Sequence, residues 1–123
     1  MEPRIHVGEN PMKIEEAEID GHRLKFRTWN YGMKQEALRA ATKFVQNASG
    51  ELEPEVDPWV LNDQLLLKTL VDWDFLDEKG ARLPITLDSV KAIEPPELVD
   101  RMIAFAQRLN SLSQRERFLS SRP

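Results

Sequence analysis

Acidic residues cluster where a helical pattern gives way to the stretch WDFLDEKGARLPIT (residues 73–86): Asp72, Asp74, Asp77 and Glu78. Closely spaced carboxylates are the ligands that an EF-hand loop offers to Ca²⁺. A count of that loop from Asp72 places Leu76 at the fifth position, an aspartate where glycine is required, and Leu83 where the bidentate glutamate belongs. The pattern therefore predicts a structural role, in which the acids solvate a loop and pair with Lys79 or Arg82.

No other pattern of side chains predicts catalysis. His6 and His22 have no partner at the helical spacing of a metal-ligand pair. The serines lie outside any nucleophile elbow, Walker loop or dinucleotide fingerprint, and the neighbouring acids at 15–16 and 51–53 are typical of a solvated surface. We predict no catalytic residue, no cofactor and no metal site; an enzyme or regulator with no recognisable motif is kept as a third alternative.

The charge balance argues against a nucleic-acid-binding protein. The chain has 17 Lys and Arg against 21 Asp and Glu, a formal net charge of −4, whereas phosphate binding needs a basic excess. Basic residues do gather at 23–27 and at 115–122, but Glu16 and Glu18 oppose the first group.

The chain contains no cysteine, which removes disulfides and thiolate chemistry and fits a reducing compartment. Its first residues lack the apolar segment of a signal peptide, and no run of about 18 apolar residues occurs. We therefore expect a cytoplasmic protein without a membrane-spanning segment.

The elements that must position these side chains begin with a hairpin at residues 13–29. Asp20-Gly21 between two alternating runs is a strong signal for a two-residue turn. This turn sets the register, so that Glu16 and Glu18 face basic residues on one side. The apolar residues share the other side, which must rest on a further element: Ala17, Ile19, Leu24 and Phe26.

Three helical patterns follow, at residues 33–48, 58–73 and 96–112. Gly50 stands where the first helix would stop, SGELEPEVD (residues 49–57) reads as an acidic linker, and Asp57 with Pro58 can open the second helix. Residues 1–12 read as a flexible arm, 13–112 as one globular domain and 113–123 as a mobile tail. The predicted fold class is α+β, predominantly α, with an N-terminal β-hairpin followed by a small three-to-four-helix bundle.

Residues 73–86 are interpreted as a connector that holds one shape. Gly80 permits a turn, Pro84 stops an extended strand, and Thr86 can begin a short helix. Trp73, Phe75 and Leu83 can anchor both its ends in the core.

Apolar residues exceed what one small bundle needs, so we expect a surface for a partner protein. Trp59 and Trp73 lie fourteen residues apart on the predicted second helix, which places them near one face. The predicted partner-binding residues combine these with the connector, the third helix and the tail: Trp59, Trp73, Phe75, Met102, Phe105, Arg115 and Arg117.

Short motifs through the chain are similar to those of a known protein family. IDGHRLKFRTWNYG covers the hairpin; later come Trp73-Asp74 at a helix end, the acidic turn Asp77-Glu78-Lys79-Gly80, the step Leu83-Pro84-Ile85-Thr86, the helix start Pro95-Pro96-Glu97-Leu98, and Leu109-Asn110. These motifs resemble those of tail assembly chaperones of long-tailed (siphovirus-like) bacteriophages, and the resemblance covers about two thirds of the chain. The residues before the hairpin and the long linker depart from that pattern.

The resemblance implies a non-enzymatic factor in the cytoplasm of the infected host cell. Such a chaperone binds the tape measure protein and helps tail tube protein gather around it, and it is expected to self-associate. Many members are also made in a longer form by programmed frameshifting. The alternative is a structural tail component, such as a tail completion or adaptor protein, which would remain in the virion.

Overall fold

The computed structural model describes the backbone of residues 13–120 and the side chains of residues 13–110. The predicted arm at 1–12 and the last residues, 121–123, lie outside this part. The described elements, in chain order, are β1 (Ile14–Ile19), β2 (His22–Arg27), α1 (Tyr31–Ala41), β3 (Thr42–Gln46), β4 (Leu52–Val56), α2 (Pro58–Thr69), β5 (Leu70–Trp73), α3 (Leu87–Lys91) and α4 (Pro96–Ser120).

The N-terminal hairpin has the predicted turn and register. Asp20 and Gly21 both have positive φ, at 51° and 83°, as a tight two-residue turn requires. Glu16 pairs with Lys25 and Glu18 with Arg23, and the Lys25 ammonium lies 3.7 Å from the Glu16 carboxylate. The predicted charged outer side and apolar inner side are confirmed.

The third strand of this sheet lies where the sequence predicts the end of a helix. The predicted helix 58–73 is wrong after Thr69, because Leu70–Trp73 forms β5 and pairs antiparallel with β2. The pairing satisfies backbone groups on the free edge of β2. It also places Leu70 opposite Phe26 and Trp73 opposite Leu24, so that all four side chains enter the core.

A second, two-stranded sheet stands between α1 and α2. The predicted helix 33–48 is wrong after Ala41, since Thr42–Gln46 forms β3, and the predicted linker forms β4 in place of an irregular segment. Apolar residues alternate with glutamates along β4, which is the period of a strand. A hydrogen bond of 2.8 Å from Asp57 N–H to the Ala41 carbonyl closes the base of this β3–β4 hairpin.

These differences overturn the predicted fold class. The chain is not a predominantly α domain with a helix bundle behind one hairpin; its described residues form a mixed fold with two antiparallel sheets and four helices. The error has a physical cause. Phe44, Val45, Val71 and Trp73 fit a helical stripe, but aromatic and β-branched residues also suit strands, and pairing with a neighbouring strand decides between the two.

The hydrophobic core lies between the three-stranded sheet and helices α2, α3 and α4. Its buried members are Leu24, Phe26, Leu65, Leu66, Leu70, Trp73, Val90, Leu98, Met102, Ala106 and Leu109. Helix α1 packs mainly on α2 and buries only small residues, Ala37 and Ala41, while β3 and β4 make their main contacts with each other. Residues 31–56 therefore form an appendage to the core.

The ends of the helices follow local sequence rules. The Asp57 carboxylate caps α2 by accepting from Trp59 N–H at 2.9 Å, with Pro58 in the first turn, and Thr86 caps α3. Both caps are confirmed. Helix α4 begins at Pro96 as expected, and its backbone continues past the predicted end at 112 into the predicted tail, as far as Ser120.

Candidate functional site

The residues predicted to bind a partner lie in different environments. Trp59, in the first turn of α2, is 79% exposed. Trp73 and Met102 are 1% and 0% exposed, so they cannot touch a partner while the domain is folded. Arg115 and Arg117 lie in the part of α4 whose side chains are not described.

Phe75 belongs to a small aromatic cluster that fixes the connector. Its ring stacks on His22 with centroids 4.5 Å apart and meets the edge of Trp73 at 5.1 Å. The Trp73 indole N–H donates to the Leu83 carbonyl at 2.8 Å, and Leu83 N–H donates to the Phe75 carbonyl at 2.8 Å. These contacts confirm that the connector anchors both its ends, and they give Phe75 a structural role.

Phe105 lines a groove of about 650 Å³ between β1 and α4. Its ring packs 4.9 Å from that of Phe26 in the core, and the Arg108 guanidinium lies 6.0 Å from the Phe105 centroid. At one end of the groove Arg101 forms an ion pair with Asp20. The groove is shallow, with a small apolar floor between charged side chains.

The aspartates of the connector are held by the protein itself. The Arg82 guanidinium donates to both oxygens of Asp72, at 2.8 and 3.1 Å. Asp74 accepts from Arg23 N–H at 2.8 Å and lies 2.8 Å from His22 Nδ1. Burial acts to raise the pKa of Asp74, but these two hydrogen bonds outweigh it and hold the pKa below its usual value.

These contacts agree with the structural interpretation of the acidic cluster. Within residues 13–110, no group of three or more His, Asp or Glu side chains is placed to hold a metal ion.

Three exposed large apolar side chains lie together on the β3–β4 hairpin: Phe44, Leu52 and Val56. Residues paired directly across an antiparallel ladder point to the same side, as do alternate residues along each strand. Phe44 pairs with Pro54, Thr42 with Val56, and Gln46 with Leu52. Phe44, Leu52, Pro54 and Val56 therefore share one side of the hairpin, which we name the apolar hairpin face.

The apolar hairpin face is open to solvent. Phe44 is 67% exposed, Leu52 70% and Val56 43%. No described element covers it, since the strands have their main contacts with each other. Trp59 follows Val56 by three residues, so the face and the most exposed tryptophan lie at the same end of the α1–α2 pair. Isolated two-stranded hairpins are marginally stable, which makes this uncovered apolar face the candidate site of association on the described surface.

The opposite side of the hairpin is charged. It carries Lys43, Val45, Glu53 and Glu55, and the Lys43 ammonium lies 3.8 Å from the Glu55 carboxylate. With Glu51 in the turn, the hairpin as a whole is acidic.

Sequence reasoning missed the apolar hairpin face, although two signals were present. Leu52, Pro54 and Val56 alternate with glutamates, and Asn47 precedes Gly50 at the spacing of a hairpin loop with a bulge. Both signals were hidden because Phe44 and Val45 also continue the apolar stripe of α1.

No helix in the described part of the chain has the length and apolar character needed to cross a membrane. Comparisons with protein-family models, with curated proteins and with solved structures give no match to this chain.

Proposed function

We propose that this protein is a phage tail assembly chaperone, without enzymatic activity, that binds the tape measure protein and helps tail tube subunits assemble around it. The observation that carries the proposal is the apolar hairpin face, which contributes no residue to the core and lies at the same end of the α1–α2 pair as the exposed Trp59. The motif resemblance supplies the biological context, and the exposed face supplies a surface that such a chaperone needs.

An apolar sheet face suits a helical client. An amphipathic helix buries its apolar stripe most readily against another apolar layer, and a long helical protein exposes such stripes until it is packaged. Complete burial of one Phe or Leu side chain contributes about 1.5–3 kcal/mol. Two or three such side chains supply about 3–9 kcal/mol before the cost of association, so a micromolar complex, at about 8 kcal/mol net, requires further contacts such as that of Trp59.

The charge of the hairpin adds selectivity for the client. Glu51 in the turn, with Glu53 and Glu55 on the side opposite the apolar hairpin face, gives the hairpin a negative charge that Lys43 offsets only in part. We therefore expect the client helix to carry Lys or Arg beside its apolar stripe, and binding to weaken as ionic strength rises.

Co-expression with the tape measure protein of the same phage, followed by affinity purification, tests the proposal. Phe44→Ser and Trp59→Ala should each weaken retention of the partner about tenfold or more, because each removes a large apolar contact. Tyr31→Ala is the matched control. Tyr31 is 73% exposed but begins α1, about 15 Å of helix away from the hairpin, and its loss should leave binding unchanged.

Two outcomes would contradict the proposal. The first is failure to recover the tape measure protein with the wild-type chain. The second is recovery that the Phe44 and Trp59 variants do not reduce. Stoichiometric amounts of the chain in purified virions would instead support a structural tail component.

A further inference from the structure

The outer edge of β3 carries backbone groups that are free to pair. Asn47 N–H donates to the Glu51 carbonyl and Asp57 N–H to the Ala41 carbonyl, so the hydrogen-bonded pairs of this ladder fall at odd-numbered residues. Even-numbered residues must point their N–H and C=O groups away from the partner strand. Among the described residues, the outward groups of Phe44 and Gln46 have no backbone partner.

The outer edge of β4 is blocked. Pro54 is even-numbered and pairs with Phe44, so its nitrogen faces outward at the middle of the strand and has no hydrogen to donate. Proline in this position is a common device against pairing at an edge. The hairpin therefore has one edge open to another strand and one edge closed.

We propose that the open edge of β3 pairs antiparallel with β3 of a second copy of this chain, which joins two hairpins into one four-stranded sheet. With the twofold axis at Phe44, this residue exchanges both backbone hydrogen bonds with the partner's Phe44. Gln46 N–H then donates to the carbonyl of the partner's Thr42. The same bonds form in both directions, as a symmetric dimer requires.

The side chains permit this register. The two Phe44 rings become direct cross-strand neighbours on the apolar hairpin face, which is a favourable aromatic pair. On the opposite side Lys43 faces the partner's Val45, so no like charges stand directly opposite each other. A shift that placed Lys43 against the partner's Lys43 would bring two cations together and is disfavoured.

The charge distribution also selects β3 over β4 as the joining strand. Each β4 carries Glu53 and Glu55, whereas the only charged residue of β3 is Lys43, which lies 3.8 Å from Glu55 of its own hairpin. Joining through β3 leaves the acidic strands on the outside, about 14 Å apart at the usual strand spacing. That separation exceeds the Debye length of about 8 Å at physiological ionic strength.

The closed edges stop growth at two copies. After the β3 strands pair, both outer edges of the new sheet are β4 strands that carry Pro54, so the assembly ends as a dimer and does not extend into a filament. Dimerisation uses the edge of the hairpin and leaves the apolar hairpin face uncovered. The inference therefore goes beyond client binding and does not depend on it.

Sedimentation velocity of the full chain alone tests the proposal. At about 10–100 µM the protein, with a monomer mass of 14.2 kDa, should sediment as a dimer. Gln46→Pro removes an outward donor without touching the β3–β4 ladder, and it should raise the dissociation constant at least about tenfold. Gln46→Ala keeps the backbone donor and is the control that should remain dimeric. Circular dichroism verifies that both variants are folded.

Disulfide crosslinking tests the register. The chain has no cysteine of its own, so a single introduced cysteine reports one contact. Phe44→Cys brings two thiols together across the twofold axis, at a Cα separation of about 5.5 Å that suits a disulfide. This variant should crosslink rapidly under mild oxidation. Leu52→Cys, equally exposed but on the outer strand, should not.

A monomeric wild-type chain at about 100 µM, the top of the range tested, would overturn the proposal. So would a dimer that survives Gln46→Pro unchanged, or one in which the Leu52→Cys variant crosslinks as fast as the Phe44→Cys variant, since either result would place the contact elsewhere.

Discussion

Two loops far apart in the chain are closed by the same side-chain device. The Asn47 side-chain oxygen accepts from the backbone N–H groups two and four residues later, at 2.9 and 3.0 Å. The Asp77 carboxylate does the same at 2.8 and 2.9 Å. Each loop has its glycine three residues after the acceptor, with φ near +80°. The short polar side chain satisfies the inner donors of the loop, and glycine supplies the backbone conformation that other residues rarely adopt.

Asp74 ties the connector to the N-terminal hairpin, and its contribution should depend on pH. Its ionised form accepts from Arg23 N–H and its pKa is lowered in the folded state. A carboxyl group with a lowered pKa stabilises the fold above its unfolded pKa of about 3.9, and this stabilisation is lost as pH falls through the folded pKa.

We predict that Asp74→Asn lowers the free energy of unfolding by about 1 kcal/mol at pH 7, a value discounted for the partial exposure of the carboxylate. The difference from wild type should narrow below about pH 4. Urea denaturation at pH 7 and pH 3 measures both quantities. Glu78→Gln, an exposed acid in the same connector, is the control. A difference for Asp74→Asn that stays constant across this range would contradict the assignment.

Local rules explain why single residues could be predicted from the sequence. The turn at Asp20-Gly21, the cap at Asp57 and the cap at Thr86 depend on groups a few residues apart, so the local sequence is enough to predict them. Gly50 shows the limit of such rules. A glycine suits a helix end and a hairpin loop equally well. Which one forms depends on whether the residues before Gly50 continue α1 or form β3.

At the scale of elements, the chain twice passes from helix to strand without an intervening loop. At both transitions a threonine hydroxyl donates to the carbonyl four residues earlier, Thr42 to Leu38 and Thr69 to Leu65, each at 2.6 Å. The next strand then continues with extended backbone angles. Threonine also occurs inside helices, and neither of these helix ends has the glycine or proline that usually marks one. The sequence therefore does not indicate where the two helices end.

The helix end at Thr69 also explains why the candidate site could be predicted only in part. A continuous helix over 58–73 places Trp59 and Trp73 near one face, but the two lie in different elements, one exposed and one buried. The helical stripes predicted a surplus of apolar residues. The sequence did not indicate which apolar residues become buried when β5 pairs with β2.

Substitution of the two tryptophans should therefore have very different effects on stability. Trp73→Ala opens a cavity in the core and removes the indole hydrogen bond to Leu83, so we expect a loss of about 3–5 kcal/mol in the free energy of unfolding. Trp59→Ala removes an exposed side chain and should change that energy by less than about 0.5 kcal/mol. Urea denaturation of both variants makes the comparison, and similar losses would show that the burial is misassigned.

At the scale of the whole molecule, the β3–β4 hairpin is an insertion between two helices that pack on each other. Neither it nor α1 contributes a residue to the buried core cluster, and Asp57 N–H meets the Ala41 carbonyl at its base. The buried core cluster and the proposed partner surface thus lie in separate parts of the chain.

Removal of most of the hairpin should leave the domain folded. Lys43 and Glu55 form a hydrogen-bonded pair, which is the pair that a two-residue turn can join, so residues 44–54 can be replaced by Asn-Gly. We expect the free energy of unfolding to change by less than about 1 kcal/mol. Chemical denaturation with near-ultraviolet circular dichroism would measure this. Loss of the cooperative transition would show that the hairpin supports the core.

Because the base of the hairpin is fixed, only certain changes in the length of the hairpin preserve its two faces during evolution. Side chains change sides at every residue of a strand, so one residue added to each strand would turn the outer half over and expose its glutamates where Phe44 and Leu52 now stand. Two residues per strand would preserve the pattern. Homologous chains with longer or shorter hairpins should therefore differ by even steps per strand, a periodicity that genome sequences can reveal.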